Sequence, residues 1–154
     1  MRAIALVVVL VVLTGVAAAT PVAVLRIEPG GVVRPLSDGE RYEYSYQQSI
    51  YQVPVIEEHQ RAGDTLRIVR VRSRDLRAVE YFRWDGQIRR VGDEFVQDAP
   101  SNSVPALVIR VTTEGTQRLR GARFDIALRD DFGETVVTVT PAHAPAIALL
   151  LGGR

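Results

Sequence analysis

Between Arg41 and Tyr51 the chain alternates with a period of two. An extended strand would carry Tyr42, Tyr44, Tyr46, Gln48 and Ile50 on one face and Glu43, Ser45, Gln47, Ser49 and Tyr51 on the other. Comparable short runs recur along the chain, punctuated by turn residues. Val22 to Ile27 ends at Glu28-Pro29-Gly30-Gly31, and Leu66 to Arg74 follows Ala62-Gly63-Asp64. Ala106 to Thr112, Phe124 to Leu128 and Glu134 to Thr140 are separated by Glu114-Gly115 and Asp130-Asp131-Phe132-Gly133. Few stretches leave room for a long helix. The spacing predicts an all-β domain, an antiparallel sandwich or barrel of about eight or nine strands.

Local signals refine that reading. Pro54 cannot donate to a ladder, so the run Val53 to Gln60 is expected at an edge, a bulge or a strand start. The apolar parity switches between Ile68 and Val69, which predicts a bulge or a strand passing between two environments. Asp85-Gly86 between Val79–Trp84 and Gln87–Val91 predicts a two-residue hairpin. Asp98 to Pro105, polar and bounded by proline, reads as a loop.

The first nineteen residues have a separate logic. Arg2 is followed by an apolar run from Ala3 to Val16 and then by Ala17-Ala18-Ala19, the pattern of a signal peptide cut after Ala19. The run falls short of the ~20 apolar residues of an uncleaved anchor. The domain organisation expected is therefore a signal peptide over 1–19, one β domain over 20–140 and an apolar tail over 141–154, on the extracytoplasmic side of a membrane. The tail is too short to span a bilayer, and either packs on the body or touches a membrane or partner. Contact with the membrane is otherwise expected only through the signal segment, if that is retained. The chain has no cysteine, so no disulfide holds the fold in that compartment and the core must do so alone.

Charge and residue types exclude several functions. All nineteen basic residues are Arg; without Arg2, eighteen face eighteen acids, a balance that argues against a nucleic-acid partner. None of the six serines after the signal lies in a Gly-x-Ser-x-Gly turn, and only His59 and His143 could act as an imidazole base, so no catalytic triad is expected. Glu57 and His59 would share a strand face but lack a third ligand, so solvent-facing strand residues are expected there and no metal or other cofactor. Asp130, Asp131 and Glu134 lack the ligand alternation of a calcium loop and read as a turn.

Residues 61–90 hold nine Arg against four acids. Within them Arg70, Arg72 and Arg74 share one parity. Such a row either pairs with acids on a neighbouring strand, such as Glu57 or Glu58, or presents planar forks to a carboxylate ligand. The tyrosines of the opening stretch pack in a core with wet hydroxyls, or form a face for a ligand or partner.

The run Tyr46-Gln47-Gln48-Ser49-Ile50, followed by Pro54-Val55-Ile56-Glu57, resembles a family of small exported proteins, domain of unknown function eighteen-fifty, encoded beside TRAP-type transporters of the TAXI class. The family pattern is a His-Ser-Val element, then Pro-Val and a glutamate, then a serine before a glycine turn. Ser49, Ile50, Pro54, Val55, Glu57 and Ser73 fit it. Gln48 stands at the histidine position, and Asp75-Leu76-Arg77 stands where the glycine turn belongs. The resemblance implies an accessory role near a solute transporter and supplies no chemistry. The function expected is thus an exported, non-enzymatic binding domain. Its partner would be a TRAP-type transporter or its solute-binding protein, or a carboxylate ligand of an organic-acid uptake system. The alternative is a structural or interaction module of the cell envelope without a small ligand. The candidate contact surface comprises Tyr46, Gln48, Ser49 and Glu57 with Arg70, Arg72 and Arg74. Gln48 and Ser49 lie on opposite strand faces, so one site can use both only near a strand end or bulge.

Overall fold

The computed structural model describes residues 18–151. The signal segment, up to Ala17, lies outside them. Among the described residues twelve strands, more than the eight or nine expected because short strands such as β6, β8 and β11 carry too little alternation to be read, form two antiparallel sheets, and neither closes into a barrel. The small sheet has the order β2-β1-β12-β9, with β1 Pro21–Glu28, β2 Val32–Pro35, β9 Leu107–Arg110 and β12 Val136–Pro145. The long sheet has the order β11-β10-β3-β4-β5-β7-β6, with the two-residue β8 (Ser103–Val104) also on β5. Its members are β3 Arg41–Gln48, β4 Val53–Ala62, β5 Thr65–Ser73, β6 Arg89–Val91, β7 Glu94–Asp98, β10 Arg118–Gly121 and β11 Phe124–Ala127. Among the described residues three short helices accompany the strands: α1 Leu76–Glu80, α2 Leu128–Phe132 and α3 Ile147–Leu151.

The sheets face one another over part of their area. Leu25 and Ile27 of β1, Ile109 of β9 and Val137 and Val139 of β12 meet Tyr42, Leu66, Leu119 and Ile126 of the long sheet. Side chains of this size stabilise by about 1.5–3 kcal/mol each when fully buried, which is how a chain without cysteine holds two layers together. The remainder of the long sheet reaches past the small one and needs another cover. Val55 and Val71 are capped there by Ala78 and Val79 of α1, with Phe82 and Trp84 packed around them. The outer face of the small sheet carries a third cluster, in which Ala148 and Leu149 of the tail lie on Val24, Val33 and Ala144.

Several local expectations hold. Pro54 sits at the start of β4, opposite Gln47. Along β4 and β5 the register moves from Glu58↔Arg70 to His59↔Ile68 and skips Val69, the bulge that the parity switch predicts. Three others need correction. Val79 to Trp84 is not a strand, and Asp85-Gly86 is not its hairpin turn. Asp75 caps α1 by accepting from the Arg77 amide at 2.9 Å, and Leu, Arg, Ala and Glu are strong helix formers. Tyr81, Phe82 and Trp84, which read as strand by propensity, follow as a turn, and Phe82 and Trp84 pack against the capped cluster. The hairpin forms one step later, with Val91↔Glu94 around Gly92-Asp93. Gly92 has φ +65°, at the first loop position, where a two-residue turn can place a glycine. Residues 141–145 belong to β12, paired with β1 out to Pro21↔Pro145.

Candidate functional site

Strands β3 and β4 place the tyrosine stretch at the centre of the long sheet. Their register sets Tyr42 opposite His59, Tyr44 opposite Glu57 and Tyr46 opposite Val55. Facing residues share a side, so three phenols, a carboxylate and an imidazole point inward. The Tyr42 ring stacks on His59 with centroids 5.3 Å apart, and Tyr44 stacks on Tyr46 at 5.0 Å. Oε2 of Glu57 lies 3.1 Å from Nε2 of His59, and the Glu57 carboxylate also acts on the Tyr46 hydroxyl. Tyr42 and Tyr44 pack with the inter-sheet core, Tyr46 with the cluster under α1. Glu57 therefore sits at the seam between two apolar clusters. The expectation that Glu57 and His59 face solvent is corrected: both are inward, and they hydrogen-bond each other.

Electrostatics at the seam runs one way. Burial, and after it the Glu57 charge, pushes the hydroxyls of Tyr42, Tyr44 and Tyr46 well above the ordinary tyrosine range, and the bond to Glu57 adds to this at Tyr46. The phenols stay protonated, and the buried Tyr42 hydroxyl has no hydrogen-bond partner among the described residues. A cavity of about 330 Å³ on the outer side is lined by residues including Arg41, Glu43, Glu58 and Arg120, and one of about 500 Å³ lies along Arg110–Thr112 and Glu134–Val136. Neither reaches Glu57. Tyr42 borders the first of them, while Glu57 and His59 form a polar fastening inside the fold.

The arginine row occupies the opposite face. Nη1 of Arg72 is 2.9 Å from both Glu94 oxygens, and its Nη2 is 2.7 Å from Glu43. Those bonds outweigh the burial that opposes its charge, and the guanidinium is held more firmly protonated. Arg70 lies 3.4 Å from Glu58 and Arg74 2.9 Å from Asp93. The pairing partners are Glu58, Glu43, Glu94 and Asp93; Glu57, on the other side, takes no part. Sequence reasoning brought seven residues to one surface, and the structure separates them. Tyr46, Gln48 and Glu57 are inside; Arg70, Arg72 and Arg74 are outside; Ser49 is exposed at the β3–β4 turn, its carbonyl accepting from Gln52 Nε2 at 2.6 Å.

That turn is one half of an exposed tip. Tyr51 packs into the cluster with Ala78 and Val79 of α1, and the Arg77 guanidinium lies 5.0 Å over its ring. Around this joint Ile50 is 59% exposed, Tyr81 54% and Leu76 37%. Helix α1 was invisible to strand-period reasoning, so the tip was too. Arg61 was also missed. It is 2% exposed and donates to the carbonyls of Val24 at 2.8 Å, Ala142 at 2.9 Å and Gly63 at 3.0 Å. Its parity with Glu57 and His59 was the available signal. Among the described residues no group of three or more His, Cys, Asp or Glu is arranged to hold a metal ion. No family model, curated protein or solved structure matches the chain.

Proposed function

We propose that this chain is an exported, non-enzymatic binding domain, an accessory to a TRAP-type uptake system, and that it acts by touching another protein. The observation that carries this reading is the tip, where Ile50, Leu76 and Tyr81 expose apolar surface on a turn–helix joint at one end of the long sheet. Aromatic and aliphatic anchors of this kind dominate protein contacts. The arginine row supports a protein partner over a carboxylate ligand. Each of its guanidinium groups already has an acid, so an incoming anion would have to displace an internal one.

The test is photocrosslinking in cells from Ile50 and from Tyr81, with Ser101 as a control site. Adducts from both tip positions to a transporter subunit or its solute-binding protein are expected. Adducts only to an unrelated envelope protein would point to the alternative, a structural interaction module. A rise in thermal midpoint with an organic acid, lost in Arg72→Ala, would replace the reading with ligand capture, since a ligand bound to the native state raises the midpoint by mass action.

A further inference from the structure

The end of the small sheet carries a cavity that neither the tip nor the arginine row uses. It measures about 500 Å³ and is lined by Arg110, Val111, Thr112, Glu134, Thr135 and Val136. Across β9 and β12, Arg110 pairs with Val136 and Val108 with Thr138. Ile109 and Val137 between them are buried in the inter-sheet core, so Arg110 and Val136 stand on the outer face of the sheet. One rung further the Val111 amide donates to the Thr135 carbonyl at 2.8 Å, which sets Glu134 diagonally across from Arg110. Positions in that relation lie about 7–8 Å apart. The backbone of β9 is held in place there by Gln117, which is 8% exposed. Its Nε2 donates to the Arg110 carbonyl at 3.1 Å, and its Oε1 accepts from the Thr112 amide at 3.4 Å.

Two opposite charges line this cavity without pairing. The Arg110 side chain has no hydrogen-bond or ion-pair partner among the described residues. Oε1 of Glu134 accepts from the Thr113 hydroxyl and lies 4.0 Å from Nη2 of Arg129 on α2, while its Oε2 has no contact. Beyond β12 the outer face continues to Arg26 and Glu28 of β1, which pair with Thr140 and Thr138. Glu28 is engaged by the Gly31 amide at 2.9 Å, and neither residue lines the cavity. A simple anion drawn to Arg110 would meet Glu134, and a simple cation drawn to Glu134 would meet Arg110 and Arg129. A molecule with both charges on one carbon satisfies the two together. Val136, 53% exposed, adds an apolar wall beside them.

We infer that this cavity binds a zwitterion, a free α-amino acid with an apolar side chain. Arg110 donates to its carboxylate, Glu134 accepts from its ammonium group and Val136 packs against its side chain. The site is on the small sheet and the tip is on the long one, so the inference does not depend on what the tip binds.

The test is nuclear magnetic resonance titration of the full chain with L-leucine, with isocaproate, which lacks the ammonium group, and with isoamylamine, which lacks the carboxylate. Expected with leucine are saturable shifts of the amide signals at 110–112 and 134–136, and binding about tenfold weaker for each one-ended analogue. Arg110→Gln and Glu134→Gln should each weaken leucine binding by about tenfold, and Glu134→Gln should no longer prefer leucine to isocaproate. Absence of a saturable response to leucine would overturn the inference. So would isocaproate binding as tightly as leucine to the parent chain, or a response kept in Arg110→Gln and lost in Arg72→Ala. Both substituted positions are exposed, an unchanged thermal midpoint shows that the variants are folded, and the comparison of the three compounds needs no variant.

Discussion

The guanidinium of Arg61, on the long sheet, donates to the carbonyl of Val24, on the small sheet, across 2.8 Å. Ala142, the register partner of Val24 on β12, accepts from the same Nη1 at 2.9 Å. One buried cation thus ties the middle of the small sheet to the end of β4. Arg61→Met keeps much of the volume and removes the cost of burying a charge, but it strips the donor from these carbonyls. Each orphaned acceptor costs about 1–3 kcal/mol, which outweighs the relief. We expect Arg61→Met to lose about 2–4 kcal/mol, and Arg61→Ala to lose more because it also leaves a cavity. Thermal denaturation followed by circular dichroism checks both, with a fall in midpoint of roughly 10 °C for the methionine variant.

Gly121 is fixed by a neighbour. A Cβ at this position would lie 2.5 Å from Cε1 and 2.7 Å from Cζ of Phe124, its direct partner across β10 and β11. The ring is buried in the inter-sheet core beside Tyr42, at a centroid separation of 6.5 Å, and has little room to yield. Gly121→Ala should cost about 1–3 kcal/mol by overpacking. Adding Phe124→Leu should recover part of that loss, and a double-mutant cycle measures the coupling. Strict additivity would refute the steric account.

The same contacts explain what the sequence made legible. Alternation along β3, the Pro54 start of β4 and the bulge at Val69 are backbone and parity effects, and period-two reasoning finds them. What it missed depends on which surface covers which. Parity assigns Glu57 and Arg61 to the face of Tyr42 and Tyr44, but charge alone argues that they be outside. They are inside because His59 partners Glu57 and the carbonyls of a second sheet accept from Arg61, and no local pattern reports a partner on β1 or β12. Helix α1 escaped for a different reason. Val79, Tyr81, Phe82 and Trp84 have high strand propensity, and their role as a lid over Val55 and Val71 follows only once the long sheet is seen to outreach the small one. The arginine row was correctly placed on one face. Its separation from the tyrosines follows from the β4–β5 register, which one strand's pattern does not contain.

Arg72 bridges Glu43 and Glu94 on the outer face while Glu58 is held by Arg41 and Arg70. Removing Arg72 leaves carboxylates on β3, β4 and β7 facing one another with one cation fewer. The group is partly exposed, so solvent screens the pairs, and Arg72→Ala should cost only about 1 kcal/mol. Because the effect is electrostatic, the deficit against the parent should narrow as salt is raised. Urea titrations of both proteins at low and high salt test this. A deficit that ignores salt would mean that the side chain acts by packing its stem.

The three inward tyrosines make alkaline unfolding the steepest pH response expected of this fold. Burial and the Glu57 charge make Tyr42, Tyr44 and Tyr46 weaker acids in the folded state, whereas the unfolded chain releases those protons near pH 10. Above that value the unfolded state binds fewer protons than the folded one, so stability falls as pH rises; below about pH 9 both states are protonated and these groups contribute no pH dependence. Each contributes about 1.4 kcal/mol per pH unit, or about 4 kcal/mol for the three together. A domain of ordinary stability, about 5–15 kcal/mol, should unfold within a few units above pH 10. Tyrosinate absorbance from these residues should appear together with the loss of the strand signal in circular dichroism. Tyr46→Phe deletes one of the three groups, and the slope of stability against pH in the alkaline limb should fall by about a third. Ionisation of these residues in a chain that keeps its strands would show that the seam around Glu57 is open to water.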